Sequence, residues 1–184
     1  MKAMMAWLGG LGLALATLNC QAGSLDLNLS DEAVQFAASG EVAPGIAVGG
    51  GLLDSEDRVD TQAVHAEVLG VERTRRYDIG VGARWTQLDT DAGDGGGLGL
   101  GGYGYAYVPQ VPALSLGGYG FYTPGVVSAG DLERGLEYGL RARYGVTRNV
   151  DAYVGYRRLR ADLHRPGGTR TLDSGAHAGV RLVF

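Results

Sequence analysis

The chain has 184 residues, a formal net charge of −4 at pH 7 and a single cysteine, which is the size of one domain. The mildly acidic charge is spread along the sequence and argues against nucleic acid as a partner, and a lone cysteine excludes an internal disulfide. Glycine is far above its usual share with 33 residues, and tyrosine outnumbers phenylalanine ten to three. Glycine interleaved with tyrosine, leucine and valine is typical of strongly curved strands that need small side chains on one face.

An export signal is predicted at the N-terminus. Lys2 supplies a positive start, and the uncharged apolar run 4–18 follows it. This run is shorter than the ~20 apolar residues that a membrane-spanning helix needs. Small residues at Cys20 and Ala22 place the expected signal-peptidase cleavage before Gly23.

We therefore expect a signal peptide over residues 1–22 and one exported domain over residues 23–184. A lipoprotein acylated at Cys20 is the alternative, which Asn19 disfavours because that position usually holds glycine or alanine. Every cation of the exported domain is an arginine.

Period-two alternation predicts that the exported domain consists of strands, because successive side chains of a strand point to opposite sides. The clearest run is 134–146, where one face carries Leu136, Tyr138, Leu140, Ala142, Tyr144 and Val146. The other face carries glycine and charged residues. A run of about a dozen residues matches the ~9–11 residues of a tilted membrane strand and exceeds the ~5–6 residues usual in globular sheets.

In chain order, ten strands are predicted, over 24–30, 33–41, 45–54, 61–72, 76–89, 96–107, 114–122, 132–146, 149–163 and 172–184. Since no segment after the signal can form a transmembrane helix, a closed barrel is the remaining way to cross a bilayer. The predicted fold is all-β, a closed antiparallel up-and-down transmembrane β-barrel of about ten strands, or about eight if a weak segment is lost. Between Leu100 and Tyr103 the alternation changes parity across Gly101-Gly102, which predicts a β-bulge.

The predicted connections alternate in length. The short ones are 42–45, 72–76, 108–113 and 147–149, and the longer ones are 54–60, 89–96, 123–131 and 164–173. Short periplasmic turns and longer outer loops are expected of a barrel with both ends in the periplasm. The glycine-rich segment 93–97 lacks the Gly-Lys-Ser/Thr of a phosphate-binding loop and is predicted to be an exposed loop.

The last predicted strand ends in an uncharged apolar row. One face carries Ala176, Ala178, Val180, Leu182 and Phe184. A charge facing lipid would cost ~2–4 kcal/mol at the bilayer midplane, so this face is suited to lipid. A final strand that closes on a terminal aromatic residue resembles the insertion signal of bacterial outer-membrane proteins. Val180, Leu182 and Phe184 are therefore predicted to be recognised by the barrel-assembly machinery.

Four segments resemble the YfaZ family of bacterial outer-membrane proteins. They are SLDLNLS at 24–30, LGGYGFYTP at 116–124, YVGYRR at 153–158 and GAHAGVRLVF at 175–184. The resemblance covers essentially the whole exported domain and implies a barrel without an assigned activity. Because these motifs are structural, the resemblance implies no catalytic, cofactor-binding or metal-binding residue.

Charged residues on the predicted inward faces form a candidate network inside the barrel: Glu67, Asp78, Arg84, Glu137, Arg141, Arg143, Arg157 and Arg181. Since arginine exceeds acid in this set, an anion-favouring constriction is one interpretation. A salt-bridged plug is the other interpretation. A barrel of ~8 strands has just enough interior to be filled by side chains, so we favour the plug.

No catalytic or metal site is predicted. Ser174 and His177 are close in sequence beside Asp173, but on a strand they point to opposite faces, which disfavours a Ser-His-Asp triad. His65 and Glu67 share an inward face, yet no ligand spacing supports a metal site. We expect hydrogen-bonded interior groups, no cofactor and no enzymatic activity.

Aromatic residues are predicted to form girdles at the membrane interfaces, with a sugar-stacking platform as the alternative. The residues concerned are Trp85, Tyr103, Tyr105, Tyr107, Tyr119, Tyr122, Tyr138, Tyr144, Tyr153 and Tyr156.

Three functions remain open from the sequence. The favoured one is a small outer-membrane barrel with a structural or narrow porin-like role. A barrel enzyme that modifies lipid or lipid A is the second and would need a convergent Ser/His/acid set at the outer rim. A soluble periplasmic ligand-binding barrel is the third. For the favoured function we expect a monomer in the outer membrane, with membrane lipid and lipopolysaccharide as its partners.

Overall fold

The computed structural model describes residues 22–57, 60–91, 93–163 and 168–184, and most of them lie in strands. The predicted signal peptide up to residue 21 lies outside the described residues. The strands are β1 (Gly23–Leu29), β2 (Ala33–Ala43), β3 (Ile46–Ser55), β4 (Thr61–Arg73), β5 (Tyr77–Thr90), β6 (Gly93–Val108), β7 (Val111–Thr123), β8 (Ser128–Gly130), β9 (Leu132–Gly145), β10 (Val150–Leu163) and β11 (Thr169–Val183).

All of these strands except β8 form one closed antiparallel barrel, which confirms the predicted fold. Strands that follow one another in the chain pair, β7 pairs with β9, and β1 closes the ring against β11. Hydrogen bonds of 2.7 and 3.0 Å join the backbones of Gly23 and Phe184 at one rim. We call this rim the turn end, because it also carries the connections 44–45, 74–76, 109–110 and 146–149. The opposite rim is called the loop end.

The loop end carries one additional short strand. Between β7 and β9 the chain forms a 3-10 helix (Gly125–Val127) and then β8. The short strand pairs with residues 95–97 of β6, beyond the point where β7 ends. It therefore continues the barrel wall through a segment that the sequence predicted to be a loop. No helix in the described ranges is long and apolar enough to cross a membrane.

The prediction of an exposed loop over 93–97 is wrong. This segment belongs to β6, and its glycines 95–97 are buried. A Cβ atom placed on Gly97 would lie 2.5 Å from the Thr123 side chain, so the segment is packed against neighbouring strands. The β5–β6 hairpin is consequently tight, and the expected long connection over 89–96 is mostly strand.

The predicted bulge at Gly101-Gly102 is also wrong. Across these residues β6 pairs with both β5 and β7 without a shift in register. The apparent change of parity arises because Leu100 faces outward while Tyr103 and Tyr105 face inward. A register shift is found instead between β10 and β11, where Leu159 pairs with Asp173 and Arg160 with Thr171, so that Leu172 is the extra residue.

An apolar band surrounds the outside of the barrel. Its side chains remain highly exposed, at 69% for Leu140, 68% for Val81 and 62% for Val154. A soluble protein rarely leaves so continuous an apolar surface in water. The band is therefore the lipid-facing surface of a small outer-membrane barrel.

Aromatic side chains flank this band, but only some of the residues predicted to do so. Trp85, Tyr122, Tyr138 and Tyr156 face outward toward the loop end, and Tyr144 faces outward toward the turn end. The prediction is wrong for the tyrosines that face the interior: Tyr103, Tyr105, Tyr107, Tyr119 and Tyr153. Tyrosine therefore serves both as an interfacial anchor and as a filler of the lumen.

Beyond the band, toward the loop end, the outer face becomes polar and the inner face becomes apolar. On β10 the outward residues change from Val154 and Tyr156 to Arg158 and Arg160, while Leu159 becomes buried inside. The same change occurs on β5, where Gln87 follows Trp85 on the outer face. The loop end thus has a polar outside and an apolar inside, as expected for a wall that projects from the bilayer into water.

Replacing Val81 with Arg tests the position of the band. Because Val81 lies in the middle of the outward row of β5, we expect the barrel folded in lipid vesicles to lose ~2–4 kcal/mol of its free energy of unfolding. Urea titration followed by heat-modifiable gel mobility would measure this loss.

Gln87→Arg is the matched control, since it adds the same charge to the same face of the same strand beyond the band. We expect its free energy of unfolding to stay close to that of the wild type. Equal losses in the two variants would contradict the assigned band.

Candidate functional site

The interior of the barrel is the candidate functional site, because charged side chains from five strands converge there. The inward faces carry the whole predicted set: Glu67, Asp78, Arg84, Glu137, Arg141, Arg143, Arg157 and Arg181. These side chains form successive layers from the loop end to the turn end.

The loop-end part of the interior is apolar. The buried cluster consists of Ala33, Leu53, Ala63, Leu88, Leu132, Leu159, Ala161, Leu163 and Leu172, and we call it the apolar cap. Leu172 is 0% and Ala161 1% exposed, so water reaches neither side chain from either end. The cap was not predicted, although the inverted polarity of the alternation over 158–163 is a signal of it.

Arg157 lies next to the cap and is bonded on two sides. Its Nε donates to Oδ2 of Asp173 at 2.6 Å, and its Nη1 donates to Oε1 of Gln35 at 2.6 Å. The Ser55 hydroxyl donates to the same aspartate at 3.1 Å. The buried guanidinium therefore has both a counter-ion and hydrogen-bond partners, which is the condition under which a buried charge is tolerated.

Arg84 is the centre of the next layer. Its Nη2 lies 2.7 Å from Oε2 of Glu67, and its Nη1 lies 3.0 Å from Oε2 of Glu137. The guanidinium also lies 3.7 Å from the ring centroid of Phe121. One arginine thus connects four strands across the lumen, and the interactions with two acids hold it there.

Arg143 lies nearer the turn end, where its contacts are looser. It stacks on Tyr105 with the guanidinium carbon 3.3 Å from the ring centroid. Its Nη2 is 3.7 Å from Oδ2 of Asp78, a distance beyond that of a hydrogen bond. Within the described part of the chain, this buried Nη2 has no hydrogen-bond partner.

Arg141 occupies the neighbouring level. Its guanidinium carbon lies 5.1 Å from the ring centroid of Tyr119 and 4.7 Å from that of Tyr153. Its Nη1 is 3.6 Å from Oδ2 of Asp26, whose Oδ1 accepts a hydrogen bond from the Tyr153 hydroxyl. Cation–aromatic contacts therefore replace close ion pairs in this layer.

Interior tyrosines lie across glycines of the adjacent strand. The register pairs are Tyr103 with Gly80, Tyr119 with Gly139 and Tyr153 with Gly179. A Cβ atom on these glycines would lie between 2.3 and 2.7 Å from the nearest ring atom. Glycine is therefore required at these positions so that each ring can lie against the wall.

The turn-end part of the interior is open. A vestibule of about 290 Å³ is bordered by Ser24, Ser39, Asp78, Arg143, Asp151 and Arg181, among others. It adjoins an inner cavity of about 140 Å³ that extends to Arg84 and Glu137. With the apolar cap above it, this space is a dead end that opens at the turn end.

Neither a triad nor a metal site is assembled in the ranges that the structure describes. Ser174 pairs in register with Arg158 on the outer face, whereas His177 pairs with Gly155 on the inner face. Asp173 is bonded to Arg157. No group of three or more His, Cys, Asp or Glu side chains among these residues is placed to hold a metal ion.

The predicted insertion signal lies on the lipid-facing side of β11. Val180, Leu182 and Phe184 are exposed on the outer surface, and the first two pair with Leu27 and Leu25 across the seam. The row is accessible as the barrel-assembly prediction requires, and its recognition stays a prediction.

A family model described as YfaZ precursor matches residues 1–184, which confirms the resemblance. No curated protein matches the chain. Solved structures with a similar arrangement include the KdgM porin in complex with disordered oligogalacturonate, at 10% identity and a TM-score of 0.49, covering 89% of this chain and 99% of that one. Neisserial surface protein A has 15% identity and a TM-score of 0.40 over 89% and 94% of the two chains. The channel DcaP of Acinetobacter baumannii has 11% identity and a TM-score of 0.40 over 86% and 54%.

Replacing Arg84 with Met tests the central layer. The substitution leaves Glu67 and Glu137 inside the barrel without their cation, so we expect the free energy of unfolding to fall by about 3–5 kcal/mol. Urea unfolding in lipid vesicles measures the change.

The matched control combines Arg84→Met with Glu67→Gln and Glu137→Gln. Because this triple variant leaves no unpaired buried charge, it should recover most of the lost stability. A triple variant as unstable as the single one would show that packing, and not charge pairing, is the role of Arg84.

Proposed function

We propose that this chain, which belongs to the YfaZ precursor family, is a small outer-membrane barrel that is occluded at its loop end and conducts no steady current. The observation that carries the proposal is the apolar cap, in which Leu172 is fully buried. An ion crossing the barrel would have to shed its water in a region without polar partners. The porin-like alternative would require the cap to move.

The layers below the cap support the same proposal. Arg157 and Arg84 are held by bonds of 2.6 to 3.0 Å to groups on other strands. Such bonds fix side chains across the lumen, where a pore would need free space. The salt-bridged plug and the apolar cap are therefore two successive obstructions.

The short turns indicate how the barrel is oriented across the membrane. Short turns face the periplasm in outer-membrane barrels, so the dead-end space opens toward the periplasm and the cap faces the outside. In this orientation Arg158 and Arg160, which follow the apolar band on the outer surface, lie at the level of lipopolysaccharide phosphates. Lipopolysaccharide is accordingly the proposed lipid partner of a monomeric barrel.

A lipid-modifying enzyme is less well supported. Such an activity needs a nucleophile and a base within hydrogen-bond distance, and Ser174 and His177 lie on opposite faces of β11. No observation on the described residues favours another Ser/His/acid set.

Planar-bilayer recording tests the occlusion. We expect no steady current from the wild type and brief small currents from Leu159→Ser/Leu172→Ser, because two hydroxyls in the cap admit water. Leu159→Met/Leu172→Met keeps the cap apolar and should remain silent.

Glu137 and Arg141 lie below the cap, so Glu137→Ala and Arg141→Ala test the salt-bridged plug separately from the cap. If the cap suffices, both variants should stay silent. Large, steady openings of the wild type would overturn the proposal.

A further inference from the structure

We propose that the periplasm-facing vestibule is a binding site for a small oxyanion, a phosphate or a carboxylate, held by Arg143 and Arg181. This goes beyond the proposed occlusion and does not depend on it, because binding in a cavity open at one end requires no passage through the barrel. The site is indicated by hydrogen-bond donors that the protein leaves unused beside a cavity.

Arg143 is the first unused donor. It is only 6% exposed, and its Nη2 has no hydrogen-bond partner among the described residues. Buried polar atoms normally have a partner, and an exception calls for a water, an ion or a ligand. The guanidinium carbon lies 3.3 Å from the Tyr105 ring centroid, and this cation–aromatic contact holds the group in place without supplying an oxygen acceptor for its N–H groups.

Arg181 is the second unused donor. It borders both the vestibule and the inner cavity, and no hydrogen bond or ion pair engages it within the described part of the chain. Its register neighbours are Asp26 and Asp151. Asp26 interacts with Arg141 and with the Tyr153 hydroxyl. These two contacts already balance much of its negative charge, so it neutralises Arg181 only weakly.

The size and charge of the vestibule suit a small anion. Three arginines border it, Arg73, Arg143 and Arg181, against Asp78 and Asp151, so cations exceed acids by one. A space of about 290 Å³ lies at the lower limit of known ligand pockets, which excludes a large ligand. Arginine binds the paired oxygens of phosphate and carboxylate through two N–H groups at once, so both oxyanions fit the same donors.

Asp78 is the internal competitor of such a ligand. It is the acid nearest to Arg143, its Oδ1 accepts a hydrogen bond of 3.0 Å from Tyr103, and Arg73 lies 3.6 Å from the same oxygen. Neutralising this acid should therefore strengthen anion binding, whereas neutralising either arginine should weaken it. A general loss of structure would lower the affinity in every variant, and would not raise it on replacement of Asp78 while lowering it on replacement of an arginine.

The test is isothermal titration calorimetry on the protein purified from outer membranes in detergent, with inorganic phosphate and acetate as separate probes in a buffer without chloride. We expect saturable binding of at least one probe to the wild type. Arg143→Gln and Arg181→Gln should each reduce affinity about tenfold or more, because each removes charged hydrogen bonds. Asp78→Asn should increase affinity.

Arg148→Gln is the matched control. Arg148 lies in the β9–β10 turn at the same rim but outside the vestibule lining, so its replacement removes the same charge and should leave affinity unchanged. Arg181→Gln is the variant expected to fold normally, and its heat-modifiable gel mobility verifies this. Absence of saturable binding of both probes, or unchanged affinity in both vestibule variants, would overturn the site. Bilayer currents would bear only on the occlusion.

Discussion

Closure of the backbone hydrogen-bond ladder is the constraint on which the rest of this barrel depends. In lipid, every amide and carbonyl must be bonded within the protein, and the seam of residues 24–29 with 178–183 supplies the last of these bonds. Toward the loop end β11 continues past the seam, beyond the level where β1 accompanies it. There the Asp57 carboxylate accepts a hydrogen bond of 3.0 Å from the Ser174 amide. A loop side chain thus replaces a strand where water, and not lipid, surrounds the wall.

The closed ring also links the outside of the wall to its inside. Because side chains alternate along a strand, a strand that presents apolar residues to lipid presents its small and charged residues to the lumen. Where the wall leaves the lipid, Arg158 and Arg160 face water, and the same alternation brings Leu159 and Ala161 inward. The apolar cap is therefore a consequence of the wall projecting from the bilayer. The apolar cap requires no dedicated plug domain, since the change of solvent along each strand produces it.

The number of strands, the lipid-facing rows and the inward position of the charged residues could be predicted, because each depends on local alternation. Contacts across the lumen could not be predicted in this way. Arg84 meets Glu137 from a strand 53 positions away in sequence, and only the closed ring fixes that distance. The position of Tyr103 was misjudged because tyrosine suits both an interface and a lumen, so its face is decided by register against Gly80. The cap was missed because the faces of 158–163, the part of the predicted strand 149–163 that leaves the lipid, were not assigned.

The arginines of the interior are bonded progressively less well from the cap to the turn end. Arg157 has two bonds of 2.6 Å, Arg84 has partners at 2.7 and 3.0 Å, and Arg143 has its acid at 3.7 Å. A dry interior cannot tolerate an unsatisfied guanidinium, so the complete bonding of Arg157 is required beside the cap. Near the vestibule, water can supply the missing partners, so an arginine that the protein bonds incompletely costs less free energy there. A guanidinium that lies over an aromatic ring and is only partly bonded by protein, as that of Arg143 is, is oriented yet available, and it lies on the turn-end side of the barrel.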